Sequence, residues 1–566
     1  MFIDRAEELC LLDRLWQSNE SELFVLYGRR RVGKSALLRK FCCGKRHIYF
    51  VASEIGDQLN LAQFKEAASA SLCDPFLQSV AFPNWFATLK YTARASEVGR
   101  LLVVIDDFPS LCKSNRAIPW VFQRFWETEG CYANLMFVLC GSNTRFMEKV
   151  VLGENSPLFG RRTSQRKLEP LPYYEAAKFF LNYPPKDKLK AYGMLGGIPA
   201  YLEKFDPDQS LKDNVIRQML SPGGFLRDEA MFLLRMELAE ISKYASIIGA
   251  IASGAIRFTQ VADRSRIPVT ALTKYLSSLM AMGLVERRES ILEWTDEKHS
   301  ETTLCYGSNL YHGTSLYHGA SPYHRTNLYR GAGLYSGTSL YEEDYPESRS
   351  AFVERASGTA GTALFNEVDY APLFEHVADR RQRGRYYIAD KYINFWFRFV
   401  QRNLSLIEGD GPRVAYELKI EPYIDDYMNR IFKDICCDFV KHRWHTVYGE
   451  HVIRVGEYWG NRFDIDVVAE LDDGRYLIGE CKWWNRPVGF DVLRDLLTRG
   501  NLLRVEAGLT RAGLGSDVRL VSQRGGLEEG LTAVPVIFSS SGFTEELTEL
   551  GHKGTVRLVS LEMLLD

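Results

Sequence analysis

The sequence predicts a multidomain α/β protein, and three observations carry that expectation. The chain has 566 residues, more than one hydrophobic core organises, so three or four domains are expected. Short aliphatic runs, Leu23 to Tyr27, Leu101 to Ile105 and Leu135 to Cys140, read as parallel strands buried on both faces and alternate with helical patterns. A glycine-bearing basic segment joins the first of these strands to a helix. With 46% hydrophobic residues, 25% charged residues and a formal charge of −2, the composition is that of a folded soluble chain. It carries no overall basic excess, so any nucleic-acid surface has to arise by local clustering. The 11 cysteines are scattered, and the adjacent pairs Cys42-Cys43 and Cys436-Cys437 suit neither a disulfide framework nor a zinc site. A reducing cytoplasm is the expected setting. The opening MFIDRAEEL lacks the apolar core of a signal peptide, and no apolar run reaches about 18 residues, so no membrane partner is expected.

The joining segment reads Gly28-Arg29-Arg30-Arg31-Val32-Gly33-Lys34-Ser35, followed by Ala36. This is G-x-x-x-x-G-K-[ST] between a strand and a helix, the P-loop pattern. Glycines let such a loop close around phosphate oxygens, and its N–H groups and the positive helix start bind them. Lys34 is expected at the β and γ phosphates and the Ser35 hydroxyl at Mg²⁺. The strand Leu101 to Ile105 ends in Asp106-Asp107, at the crevice edge of such a sheet. Asp106 is expected to hold Mg²⁺ through water and Asp107 to polarise the attacking water; a capped helix start is the structural alternative. Ser142, beyond the third strand, is placed to contact the γ-phosphate or the water. Arg161, in the Leu158-Phe159-Gly160-Arg161-Arg162 segment, is either a transition-state finger acting in cis or across a subunit contact, or a solvated surface arginine.

These pieces, with GMLGGIPAYL (193–202), RYYIADKYINFWFRFV (385–400) and ECKW further on, resemble the bacterial and archaeal P-loop ATPases of the STAND class that carry a C-terminal domain of unknown function. The resemblance implies ATP as nucleotide, residues 1–165 as the ATPase core and 166–235 as a helical lid. The family has Asp-Glu where this chain has Asp106-Asp107, a carboxylate one CH₂ shorter, which implies slow hydrolysis or a binding-dominated switch.

Residues 236–290 read as a winged helix-turn-helix. Phe258, Val261 and Ala262 share one helical face, Arg266-Ile267-Pro268 breaks the chain, and Leu272, Leu276, Leu279 and Met280 share the next. Gly283-Leu284-Val285-Glu286 then leads into a strand. Six Arg or Lys against two Asp or Glu between Arg257 and Arg288 suit phosphate contacts, or equally a packing module with a solvated basic face. Residues 291–380 read as a low-complexity insertion in the wing, dispensable for chemistry. There Tyr311, Tyr317, Tyr323, Tyr329, Tyr335 and Tyr341 recur every six residues amid Gly, Ser and Thr. An aromatic stripe, Tyr387, Tyr392, Phe395, Trp396 and Phe399, marks residues 381–412 as a helical joint.

Residues 413–566 form the last unit. Two apolar runs flank Asp472-Asp473-Gly474, a hairpin turn signal. Alternation puts Asp464 and Asp466 on one face of the first strand and Glu480 and Lys482 on one face of the second, with Asp466 near Glu480 across the pair. Carboxylates so placed share a cation or shift their pKa values, so Asp466 and Glu480 are expected to hold Mg²⁺, with Lys482 aiding phosphodiester attack. Asp…Glu-x-Lys at this spacing resembles the PD-(D/E)XK fold, a restriction-endonuclease-like α/β domain. The resemblance also implies an acidic residue on the preceding helix, where this chain has Lys433. The expected function is an ATP-binding and ATP-hydrolysing switch coupled to a winged helix and a nuclease-like effector on DNA, with a second copy or a protein regulator as further partner. The alternative is a regulatory or scaffold ATPase whose C-terminal domain only binds nucleic acid or protein.

Overall fold

The computed structural model describes residues 3, 5–74, 77, 82–238, 240–291, 384–460, 462–506 and 533–566. Its first sheet has five parallel strands, β1 (Glu22–Tyr27), β2 (His47–Val51), β3 (Leu101–Asp106), β4 (Leu135–Gly141) and β5 (Ser164–Lys167), in the order β2-β3-β4-β1-β5. The central strands β1, β3 and β4 are buried along their whole length. Strand alternation explains why their sequences are apolar without a break. Phe24 and Leu26 enter one core with Leu37, Leu38, Val104 and Val138. Leu23 and Val25 enter the other with Phe50, Phe64, Val103 and Phe137. Because β4 lies between β1 and β3, the loops leaving β1 and β3 open at the same carboxyl edge.

Residues 166–235 are largely helical, including Pro185–Leu195 and Phe225–Glu237. Here the Gly196-Gly197 turn presses on the chain just after β5. Leu171 N–H donates to the Gly197 carbonyl at 2.7 Å, and a Cβ on Gly197 would stand 1.8 Å from the Leu171 carbonyl oxygen. Backbone cannot yield as a side chain does. Gly197→Ala is therefore expected to cost on the order of 4 kcal/mol or more, in the rare severe class of single substitutions. A thermal scan or the yield of folded protein checks it, and an unchanged melting profile would contradict the close approach.

The next helices are Ile241–Ala252, Phe258–Ser265 and Val269–Ala281. The second buries Phe258, Val261 and Ala262, and the third Leu272, Tyr275, Leu276 and Leu279. Arg266, at φ 57°, makes the left-handed turn between them. A two-stranded antiparallel ribbon follows, β6 (Val285–Arg288) with β7 (Arg385–Ile388). This differs from the expected helical joint: Tyr387 lies on a strand, and the helical aromatic run begins only at Lys391–Phe395. The partner strand sits 97 residues away at its nearest paired residues, Arg288 and Arg385, a pairing that local periodicity cannot show. The insertion boundary also shifts. Ile291 is buried and packs near Gly456, whereas the six-residue repeat lies outside the described residues.

The last sheet is mixed: β8 (Val452–Trp459), β9 (Asp464–Leu471), β10 (Tyr476–Lys482), β11 (Ala533–Ser539) and β12 (Arg557–Val559), in sequential order. β8, β9 and β10 pair antiparallel, and β10, β11 and β12 parallel. The β9–β10 hairpin turns where expected, with Gly474 at φ 83°. The helix Ile424–His442 packs between this sheet and the helical region, where the Tyr427 hydroxyl donates to the Gly193 carbonyl at 2.7 Å. Helix Phe490–Glu506 covers the other face through Leu493 and Leu496. No described helix is long and apolar enough to cross a membrane.

Candidate functional site: a phosphate loop and a carboxylate pair

The loop from Gly28 to Ser35 leaves β1 and enters the helix Lys34–Cys42. Gly28 adopts φ 147°, and a Cβ there would meet the Leu168 carbonyl oxygen at 2.4 Å; the loop needs glycine at this close backbone approach. Lys34 is 4% exposed, and its ammonium donates to the Gly28 carbonyl at 2.8 Å and the Arg29 carbonyl at 2.7 Å. Burial, the dominant influence, pulls Lys34 below the usual lysine range. Val32 is fully buried, while Arg30, Ser35 and Ala36 are exposed.

The end of β3 meets this loop. The Ser35 hydroxyl donates to Asp106 Oδ2 at 2.6 Å, and the Tyr49 hydroxyl of β2 donates to the same oxygen at 2.7 Å. The Asp107 N–H donates to Asp106 Oδ1 at 3.0 Å. A hydroxyl at the start of helix Lys34–Cys42 and a buried carboxylate at the end of β3 thus face one point, which fits a divalent cation held beside phosphate. Asp107 itself sits in the left-handed region at φ 59° at the start of helix Phe108–Ser114, and its carboxylate accepts from Ser110 at 2.7 Å. A non-glycine residue held there stores strain, as functional positions often do. Ser142 is half-buried just beyond β4. Arg161 is engaged elsewhere: its guanidinium pairs with Glu127 at 2.5 Å and donates to the Phe159 carbonyl at 2.8 Å.

Two loop arginines bind residues far along the chain. Arg31 pairs with Glu229 of helix Phe225–Glu237 at 2.7 Å, and Arg29 pairs with Asp390 at 2.5 Å. Sequence reading placed both arginines in the loop but missed Glu229, Asp390 and Tyr49. Glu229 has no local signal, and Asp390 stood inside the quoted RYYIADKY segment without a chemical role.

The carboxylates of the C-terminal hairpin come together as expected, since the β9–β10 ladder runs to Gly479 opposite Val467, one step from Glu480 and Asp466. Their surroundings differ from the expectation. Asp466 is 7% and Glu480 5% exposed. Lys433 pairs with Asp466 Oδ1, and the Cys481 N–H donates to Oδ2 at 3.0 Å. Lys482 donates to Glu480 Oε1 at 2.7 Å, and Arg499 lies 2.8 Å from Oε2. Asp464 is exposed and faces Arg385 at 3.3 Å. Three of the four carboxylate oxygens meet a protein donor or cation directly, while Glu480 Oε2 faces the Arg499 charge without a hydrogen bond. Among the described residues no group of three or more His, Cys, Asp or Glu can hold a metal. The residues present do not fit Mg²⁺ at Asp466 and Glu480. Lys482, expected to serve a nucleophile, instead neutralises its strand neighbour but one. The physical reason is charge: three built-in cations already offset two buried anions, and a further dication would have to displace them.

Residues 2–205 match the family described as an ATPase domain predominantly from Archaea. Residues 396–493 match a family described as archaeal and bacterial proteins of unknown function. An uncharacterized protein of Methanocaldococcus jannaschii is 27% identical over 512 residues, 89% of this chain and 93% of that protein. An uncharacterized ATP-binding protein of the same organism is 52% identical over 46 residues, 8% of this chain and 78% of the relative. Among solved structures, a Walker-type ATPase of Pyrococcus abyssi is similar at 22% identity over 50% of this chain and 91% of its own, with a TM-score of 0.39. The ORC2 protein of Aeropyrum pernix is similar at 16% identity over 50% of this chain and 87% of its own, with a TM-score of 0.36. Residues 2–205 of this chain are thus similar to an ATPase domain family found predominantly in Archaea.

Proposed function

We propose that the chain is an ATP-driven switch of the STAND class, in which a lid and a winged helix pass the nucleotide state to a nuclease-like C-terminal domain that binds DNA without cutting it. The observation that carries the switch is the Arg31–Glu229 pair, by which the lid grips the phosphate loop itself. Lys34 and the loop N–H groups hold the phosphates, Ser35 and Asp106 hold Mg²⁺, and Asp107 orients the attacking water. Mg²⁺, when bound, neutralises phosphate charge. Ser142 faces the same edge, and Arg161 serves as a finger, in cis or toward a second copy, only after leaving Glu127. Lys433 and Arg499 favour binding over cleavage in the C-terminal domain, because they offset the carboxylates that a metal nuclease needs free.

DNA contact is supported by three exposed cations of the helix-turn-helix, Arg264, Arg266 and Lys274. The test is fluorescence anisotropy of a labelled duplex with ADP, with a non-hydrolysable ATP analogue and without nucleotide. Wild type is expected to change affinity between the two nucleotides. The double variant Arg266→Glu, Lys274→Glu is expected to lose about 10-fold or more and to flatten the salt dependence, because each lost phosphate contact releases fewer counterions. Binding that ignores both nucleotide and variant rejects the reading. Plasmid incubated with Mg²⁺ or Mn²⁺ is expected to stay intact; cutting that disappears in Glu480→Ala would restore the nuclease.

A further inference from the structure

We infer that Asp390, contributed from beyond the insertion, is a positioning residue for the phosphate loop of the ATPase. The inference rests on the ATP-binding reading of that loop. Asp390 has only 3% of its side chain exposed, and its two oxygens do different work. Oδ1 accepts the Ile393 N–H at 2.9 Å and so caps the helix Lys391–Phe395. Oδ2 takes the Arg29 guanidinium at 2.5 Å. The turn at Gly283 lies near the same arginine: a Cβ added to Gly283 would stand 3.8 Å from Arg29 Cδ. Arg29 is therefore held at its guanidinium by Asp390.

The consequence reaches Lys34 through the backbone. The Arg29 carbonyl is one of the two that orient the Lys34 ammonium. Pinning the Arg29 side chain fixes that carbonyl, and with it the direction in which the buried lysine points. Arg29 itself is not free to neutralise phosphate, because its charge is spent on Asp390. The residue next to Asp390 continues the ionic contacts away from the loop. Lys391 lies 3.7 Å from Asp434, which also pairs with Arg288 at 2.8 Å and Arg430 at 3.0 Å. Those two arginines share Glu457 of β8, at 2.9 and 2.6 Å. The phosphate loop and the C-terminal sheet thus rest on neighbouring charges of one short segment.

Asp390→Asn is a clean probe, since asparagine caps a helix as well as aspartate does. With its oxygen retained by Ile393, its amide would turn N–H toward the guanidinium, donor against donor, and release Arg29. In the full-length protein, Asp390→Asn is expected to raise the KM for ATP about 10-fold while kcat stays within about 2-fold, the signature of lost binding geometry. The melting temperature should fall, because Arg29 loses its buried partner, while the protein stays folded at the assay temperature, so that the KM change is read on native enzyme. Arg29→Gln should raise KM similarly, and the double variant should be no worse than either single one, because both break the same contact. A wild-type KM in Asp390→Asn, a fall in kcat at constant KM, or additive effects in the double variant would each overturn the inference. Lys34→Ala separates the two levels. If wild-type protein never saturates with ATP, the loop reading fails and the inference with it. If wild type saturates, Lys34→Ala does not, and Asp390→Asn behaves as wild type, the inference alone fails.

Discussion

Lys34→Ala is expected to lower affinity for ATP by at least about 100-fold, because charge-assisted contacts to phosphate are among the strongest polar interactions available and no neighbour replaces this one. Arg30 is exposed, and Arg29 and Arg31 are committed to Asp390 and Glu229. The lysine is buried, with two carbonyls of its own loop as acceptors, so its charge is presented in a fixed direction at little entropic cost. Lys34→Arg is expected to fail as well, since a planar guanidinium does not fit where a compact ammonium is enclosed. Titration of a fluorescent ATP analogue, with a thermal scan to verify folding, measures both. Retained affinity in Lys34→Ala would mean that the loop does not cradle phosphate.

The second large effect is expected at Lys433. Lys433→Met leaves Asp466 buried with the Cys481 N–H as its remaining donor among the contacts described above. Removing one partner of a buried ion pair costs about 3–5 kcal/mol. The lower end applies here, because the Lys433 side chain is 32% exposed. The C-terminal unfolding transition should drop accordingly, and Lys433→Met combined with Asp466→Asn should recover most of the loss. Burial alone would lower Lys433, yet the Asp466 carboxylate outweighs it and holds the ammonium above its usual range. The lysine's own contribution is therefore present below its unfolded pKa of about 10.4 and is lost as the pH climbs through the raised folded value. Lys433→Glu puts a third carboxylate beside Asp466 and Glu480 and is expected to make stability depend on metal, with Mn²⁺ raising a melting temperature that falls without it. Tight Mn²⁺ binding by wild type, lost in Asp466→Ala, would show that Lys433 does not exclude the metal.

Both variants mark how far the chain could be read residue by residue. The phosphate loop was legible because everything it needs is contiguous: a strand, glycines at the tight positions, a lysine and a hydroxyl at the helix start. The place of Asp106 at the carboxyl edge of the sheet was legible because it ends an unbroken aliphatic strand. The buried faces of Phe258–Ser265 and Val269–Ala281 followed from a period of 3.6. Tyr49 was not legible, since its hydroxyl reaches Asp106 only because β2 pairs with β3. The ribbon strand β7 was read as helix because its aromatic residues match a helical spacing and its partner lies across the insertion.

The C-terminal hairpin divides in the same way. Its turn, its two strands and the approach of Asp466 to Glu480 follow from alternation within a few residues of chain. Whether those carboxylates hold a metal depends on what else comes near, and that is decided by Lys433 on helix Ile424–His442 and Arg499 on helix Phe490–Glu506. Local sequence by itself determined the elements that close over short distances, where hydrogen bonding and side-chain period act along the chain. Only the tertiary structure decided which charges meet. An ion pair is set by spatial distance in a low-dielectric interior and not by separation in sequence, so Arg29 finds Asp390, Arg31 finds Glu229 and Lys433 takes the place beside Asp466.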